Sequence, residues 1–273
     1  MRHPGIVPHP KYGRMKAFLP IFLFCLLSGC GALPSTPPRP DTGLARFYAS
    51  PNFEPRRANF VILHHTSSGD LTSALSTLTQ PSSGVSSHYL LGREGEIFQL
   101  VAESERAWHA GLSFWGGQTD MNSASIGIEL DNNGEEAFPP AQIEALLNLL
   151  RDIRLRHAIP RANFLGHADI APSRKNDPGV LFPWALLAAE GFGLWCDPPP
   201  NAQRSESFIP SPAPDSAFFL ALAAFGYDPR EPKAALSAFR RHFYPAGLDD
   251  ETGTPGAGDA AVLECLLEQK RLP

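Results

Sequence analysis

The chain has 273 residues, room for one good-sized domain and a smaller one. Hydrophobic residues make up 43% of it, ordinary for a globular fold, and the 28 prolines gather at a few places that read as boundaries. A formal net charge of -5 provides no basic field, which argues against nucleic-acid binding as the main role.

The chain opens on Arg2, Lys11, Arg14 and Lys16, then an apolar run from Ala17 to Leu27 that ends in Leu27-Ser28-Gly29-Cys30. A basic flank, a short apolar run and small residues before a cut site describe a secretory signal. The run is too short for a membrane-spanning helix, which needs roughly 20 residues. Its ending resembles the lipobox of bacterial lipoproteins, which implies cleavage before Cys30 and lipidation of that thiol. Residues 1–30 are therefore read as a signal, with Met15 as an alternative start. Gly31, where an inner-membrane retention signal often has Asp, points by the same analogy to an outer-membrane lipoprotein facing the periplasm. Residues 31–43, with Pro34, Pro37, Pro38 and Pro40, read as a stiff tether to that membrane anchor.

Residues 59–64 form a short apolar run suited to a buried strand. Residues 70–79 fit a short helix with Asp70 as its N-cap. Glu96 to Val101 alternates as a half-buried strand. Ser125 to Leu130 is a further strand, with Ile126, Ile128 and Leu130 on one face and Glu129 on the other. Ile143, Leu146, Leu147, Leu150 and Ile153 recur at helical spacing over Ala141 to His157, started by Pro139-Pro140 and followed by Pro160. Asn163 to His167 reads as another short strand. Strands and helices thus mix over residues 44–196, an α/β domain. Residues 197–215 carry six prolines and read as a linker. Beyond it, Phe218–Phe225, Ala234–Tyr244 and Ala260–Lys270 predict a small three-helix module over residues 216–273.

Among nine histidines, His64 ends one predicted strand and His167 another, and Asp177 follows in Asn176-Asp177-Pro178-Gly179. Strand ends are where a rigid scaffold presents side chains to a cleft. Two imidazoles and one carboxylate make a three-ligand zinc set with a fourth position open for water. The spacing alone leaves structural histidines and a turn aspartate as the other reading.

Five segments, "Val-Ile-Leu-His-His-Thr" at residues 61–66, "Ser-Ser-His-Tyr-Leu" at 86–90, "Ala-Trp-His-Ala-Gly" at 107–111, "Ser-Ile-Gly-Ile-Glu-Leu" at 125–130 and "Gly-His-Ala-Asp-Ile-Ala-Pro-Ser-Arg-Lys-Asn-Asp-Pro-Gly" at 166–179, stand in the order of a known family. In these the chain resembles the type 2 family of N-acetylmuramoyl-L-alanine amidases, over about residues 44–273. The resemblance implies a mixed central sheet flanked by helices, as in peptidoglycan-recognition proteins. It implies hydrolysis of the amide between N-acetylmuramic acid, or its 1,6-anhydro form, and L-alanine in peptidoglycan and muropeptides, with a role in wall turnover. It implies zinc on His64, His167 and Asp177, with Glu129 and Lys175 catalytic. His65 stands where the family often has an aromatic residue, and packing beside the metal is expected of it. Trp108 and His109 are candidate substrate contacts, a ring face for sugar and an imidazole for a peptide carbonyl or carboxylate. His88 is expected to orient its loop.

The three-helix module resembles a peptidoglycan-binding domain, and the protein is expected to act as a monomer. Cys25 falls in the signal. Cys196 and Cys265 can pair in an oxidising compartment, but spacing does not decide it. The His-Glu-x-x-His helix of zinc peptidases is absent from the sequence. A fold of this kind also serves as a pure peptidoglycan receptor, and the complete ligand set favours catalysis over that alternative.

Overall fold

The computed structural model describes residues 43–48, 50, 53–55, 58–198, 214–250 and 253–271. Cys30, nearly all of the tether and most of the linker lie outside them. The described residues fall in one compact unit.

A six-stranded sheet runs through it. In chain order its strands are β1 (Arg46–Phe47), β3 (Phe60–His65), β4 (Tyr89–Leu91), β5 (Ile97–Gln99), β7 (Ser125–Leu130) and β8 (Phe164–Gly166). A separate antiparallel pair joins β2 (Phe53–Pro55) to β6 (Glu105–Ala107). The sheet order is β1-β5-β4-β7-β3-β8. Only the β4–β5 pair is antiparallel, so the sheet is mixed, as the family resemblance implies. The central strands β7 and β3 and the edge strand β8 run parallel, with their carboxyl ends at the same end of the sheet. That is the end where open α/β sheets place their sites.

Helix α1 (Leu71–Thr79) begins where expected, because the Asp70 carboxylate accepts from Ser73 N at 2.9 Å. Helix α3 (Pro140–His157) lies on one face of the sheet. Its Ile143, Leu146, Leu149, Leu150 and Ile153 pack against Val61, Leu63, Ile126, Ile128 and Leu130. Each such side chain stabilises the fold by roughly 1.5–3 kcal/mol when fully buried. The helix stops at Ala158, whose φ of 52° leaves the right-handed region, and Pro160 bars its return.

The other face is covered differently. Ile62 and Leu165 share one cluster with Trp115, with Met121 of the short helix α2 (Met121–Ala124), and with the three C-terminal helices. These are α6 (Pro214–Phe225), α7 (Pro232–Phe243) and α8 (Ala257–Arg271), close to the predicted segments. Phe218, Leu222, Leu236, Phe239, Phe243 and Leu263 supply their side of the cluster. A disulfide between Cys196 and Cys265 ties the end of the α/β region to α8, which settles a pairing that spacing left open.

His167 does not end a strand. Strand β8 stops at Gly166, and His167 opens the short helix α4 (His167–Ile170). The turn is made by Asp169, whose Oδ2 accepts from Gly166 N at 2.7 Å. The same carboxylate accepts from Tyr227 OH at 2.6 Å and from His242 Nδ1 at 2.7 Å. The His242 ring is stacked on Trp184, the first residue of helix α5 (Trp184–Ala189), with centroids 3.6 Å apart. The C-terminal helices therefore reach the turn that carries His167. Among the described residues, no helix is long and apolar enough to cross a membrane.

Candidate active site

Alternation along the strands decides which side chains meet. Val61 and Leu63 of β3 face α3, so Ile62 and His64 face the opposite way. On β7, Ile126, Ile128 and Leu130 face α3, so Ser125, Gly127 and Glu129 share a face with His64. The parallel register sets His64 directly beside Glu129. His167 arrives from the end of the neighbouring strand β8, and Asp177 from the loop that follows α4.

The result is a triangle of donor atoms. His64 Nδ1 lies 2.9 Å from His167 Nδ1 and 3.0 Å from Asp177 Oδ2, and the third side, His167 Nδ1 to Asp177 Oδ2, is 3.1 Å. All three residues are buried. They form a His/His/Asp group able to hold a metal ion. His167 Nε2 lies 3.2 Å from the Ala110 carbonyl, which can only accept, so that nitrogen carries the ring hydrogen and Nδ1 presents a lone pair to the triangle. Burial, with His167 nearby, lowers the His64 pKa to about 4, so its ring is neutral. Two imidazole nitrogens and a carboxylate oxygen converging this closely suit a cation with N and O ligands at about 2.0–2.2 Å, as zinc takes them.

The triangle opens into a cavity of about 400 Å³, also lined by Trp108, His109, Glu129 and Lys175. Glu129 Oε2 is buried with no hydrogen-bond partner. Burial pushes its carboxyl up to about 8, Asp177 adding to the effect and Lys175 opposing it. Trp108 Nε1 likewise has no hydrogen-bond partner, leaving an indole donor unused at the cavity. Lys175 is exposed.

Each expected site residue is therefore placed, apart from Cys30, which lies outside the described residues. His64, His167, Asp177, Glu129, Lys175, Trp108 and His109 all line this one cavity. His65 gives no atom to the triangle, and its Nδ1 meets Ser67 Oγ at 3.0 Å. His88 does hold its loop: Nδ1 accepts from Gly127 N at 2.9 Å and Nε2 donates to the Glu105 carbonyl at 3.1 Å. His109 is buried, with Nδ1 3.1 Å from His64 Nε2. Asn122 and Ser125 contact this loop, and neither stands out in the sequence; Ser125 carries only the signal of sharing a β7 face with Glu129.

The chain is similar to known proteins over most of its length. The profile of the N-acetylmuramoyl-L-alanine amidase family matches residues 54–180. N-acetylmuramoyl-L-alanine amidase AmiD of Escherichia coli is 42% identical over 240 residues, spanning 78% of this chain and 83% of the relative. The 1,6-anhydro-N-acetylmuramyl-L-alanine amidase AmpD of Citrobacter freundii is 43% identical over 105 residues, 38% of this chain and 56% of that protein. Among solved structures, E. coli AmiD in complex with the substrate anhydro-N-acetylmuramic acid-L-Ala-D-gamma-Glu-L-Lys superposes with a TM-score of 0.67 at 40% identity, covering 79% of this chain and 90% of that one. AmpDh3 of Pseudomonas aeruginosa gives a TM-score of 0.68 at 29% identity, covering 89% and 98%.

Proposed function

Because the chain belongs to the type 2 family of N-acetylmuramoyl-L-alanine amidases, we propose that it hydrolyses the amide between N-acetylmuramic acid, ordinary or 1,6-anhydro, and L-alanine in peptidoglycan and muropeptides. The observation that carries this is the buried donor triangle of His64, His167 and Asp177 with Glu129 beside it, at the floor of an open cavity. These three residues would hold zinc. Bound there, zinc supplies Lewis acidity toward the amide carbonyl and makes a water more acidic.

The chain's own groups do the rest. Glu129 has a buried oxygen with no partner, so nothing competes for a proton it takes up. Beside a divalent cation it ionises more readily than burial alone allows. It accepts the proton of the attacking water and delivers it to the departing nitrogen, leaving a carboxylic acid and an amine. Lys175 brings a positive charge toward the oxygen on which negative charge develops. Trp108 offers a ring face and its indole N–H to the sugar or peptide.

The wider setting follows from the lipobox. Cleaved and lipidated at Cys30, residues 31–43 would tether the enzyme to the outer membrane, facing the periplasm and the wall. The C-terminal helices would add contacts to peptidoglycan, raising the local concentration of substrate. The protein would act as a monomer.

The test is mass spectrometry of purified muropeptides, ordinary and anhydro, incubated with wild-type, metal-stripped and Glu129→Ala protein. Free stem peptide and free muramyl sugar are expected from the wild type alone, with one zinc per chain retained in the variant. Tight muropeptide binding with no cleavage would replace the enzyme by a receptor. Full activity in Glu129→Ala would remove the assigned base.

A further inference from the structure

The structure assigns His109, Ser125 and Asn122 as positioning residues that fix which nitrogen of each histidine faces the metal. This rests on the reading that His64, His167 and Asp177 hold zinc. A histidine can ligate through either ring nitrogen, and the hydrogen on the other one decides which lone pair is offered. In this chain both choices are made by the loop at Trp108–Ala110.

For His64 the choice follows from a chain of hydrogen bonds read from its far end. Ser125 Oγ lies 2.5 Å from the Met121 carbonyl, which can only accept, so the hydroxyl hydrogen is committed there. Toward His109 Nε2, 3.3 Å away, the Ser125 oxygen therefore accepts. With its hydrogen on Nε2, His109 turns a lone pair on Nδ1 toward His64 Nε2, 3.1 Å away. His64 must then donate from Nε2, and its Nδ1 turns a lone pair to the donor triangle. For His167 the same result comes from the next residue of the loop, through Nε2 donating to the Ala110 carbonyl.

The loop is held in turn by one side chain. Asn122 Oδ1 accepts from His109 N at 2.9 Å and from Ala110 N at 2.7 Å. Gly127 makes the arrangement possible, since a Cβ there would lie 2.4 Å from His109 Cγ. Position 127 falls between Ser125 and Glu129 on the same face of β7, so an imidazole fills the space that any larger residue would take. Partners of this kind typically matter to metal affinity by about 10- to 100-fold when removed.

The experiment measures zinc affinity by chelator competition on the full chain, with kcat and KM alongside. His109→Leu removes the acceptor for His64 and is expected to weaken zinc by about 10- to 100-fold. His109→Asn restores an acceptor oxygen near the place of Nδ1 and is expected to recover most of that loss. Ser125→Ala frees His109 to take the other tautomer, and Asn122→Ala releases the loop; both are expected to weaken zinc less than His109→Leu does. Wild-type zinc affinity in His109→Leu or in Ser125→Ala overturns the assignment. So does a failure of His109→Asn to improve on His109→Leu, and so does a raised KM with zinc affinity unmoved, which would make His109 a substrate contact. If His109→Leu does not fold, Ser125→Ala decides on the same criterion. If the wild type itself takes no zinc, the metal reading fails first and this assignment with it.

Discussion

Two glutamates, one buried and one half-buried at the cavity, show how differently one fold can treat the same side chain. Glu103 accepts from Tyr89 OH at 2.7 Å, from Arg156 Nη2 at 2.8 Å and from His157 Nε2 at 2.6 Å, and a second guanidinium nitrogen of Arg156 closes on it as well. Glu129, beside His64, keeps one oxygen with no partner at all. Burial works against ionisation of both. At Glu103 the hydrogen bonds from Arg156, His157 and Tyr89 overcome it and draw the pKa to about 2. At Glu129 burial prevails and the pKa rises to about 8. A satisfied buried carboxylate holds a fold together. An unsatisfied one is kept only where something must still come to it.

Substitutions can break this contrast from either side. The largest effect is expected at Glu129→Gln, which should lower kcat/KM on muropeptides by about 10²–10⁴-fold, the usual worth of a general base. Its melting temperature and zinc content should stay near wild type, measured by calorimetry and metal analysis. A large fall in stability instead would make Glu129 a second Glu103.

Arg156→Ala should show the reverse pattern. It removes the guanidinium from a buried carboxylate, a loss that runs to roughly 3–5 kcal/mol where no partner is left, while Tyr89 and His157 still hold Glu103. Urea unfolding should register part of that, reduced further because Arg156 is itself partly exposed. The folded fraction should turn over muropeptides normally.

A third prediction concerns pH. The folded pKa of Glu103, about 2, lies below the unfolded carboxylate value of about 4.3. Its contribution to stability is therefore complete above the higher value and is lost as pH falls through the window toward the lower one. Denaturant melts of metal-free protein at pH 6 and pH 3 should show a loss of roughly 2 kcal/mol that Glu103→Gln abolishes, because pH 3 still lies above the folded pKa. An equal acid sensitivity in the variant would assign it to other carboxylates.

The smallest effect is expected where the contrast narrows. Asp169 is fully satisfied like Glu103, yet it stands two residues from His167. Tyr227→Phe removes one of its donors and should cost about 1–3 kcal/mol. Zinc should remain at one per chain, because Gly166 N and His242 still hold the carboxylate. Loss of the metal would place Asp169 with the site instead.

Much of the scaffold could be read before any fold was known. The period-2 run at residues 125–130 put Glu129 on the face opposite Ile126, Ile128 and Leu130, where it lies. Asp70 and the prolines around residues 139–160 marked helix limits that hold to within a residue or two. The helix α4 escaped notice because its start depends on Asp169 reaching back to Gly166 rather than on any apolar repeat.

The sequence by itself determined the local elements, the face of each strand and, through its ordered motifs, the types of residue that meet at the donor triangle. Periodicity and capping act between near neighbours, so a linear reading contains them. Only the tertiary structure decided that Cys196 meets Cys265, that the C-terminal helices share a core with the sheet, and that His109 lies against His64. Those facts depend on which distant element covers a given face. A strand's alternation says that a face exists, but the packing of the whole chain chooses what comes to lie upon it.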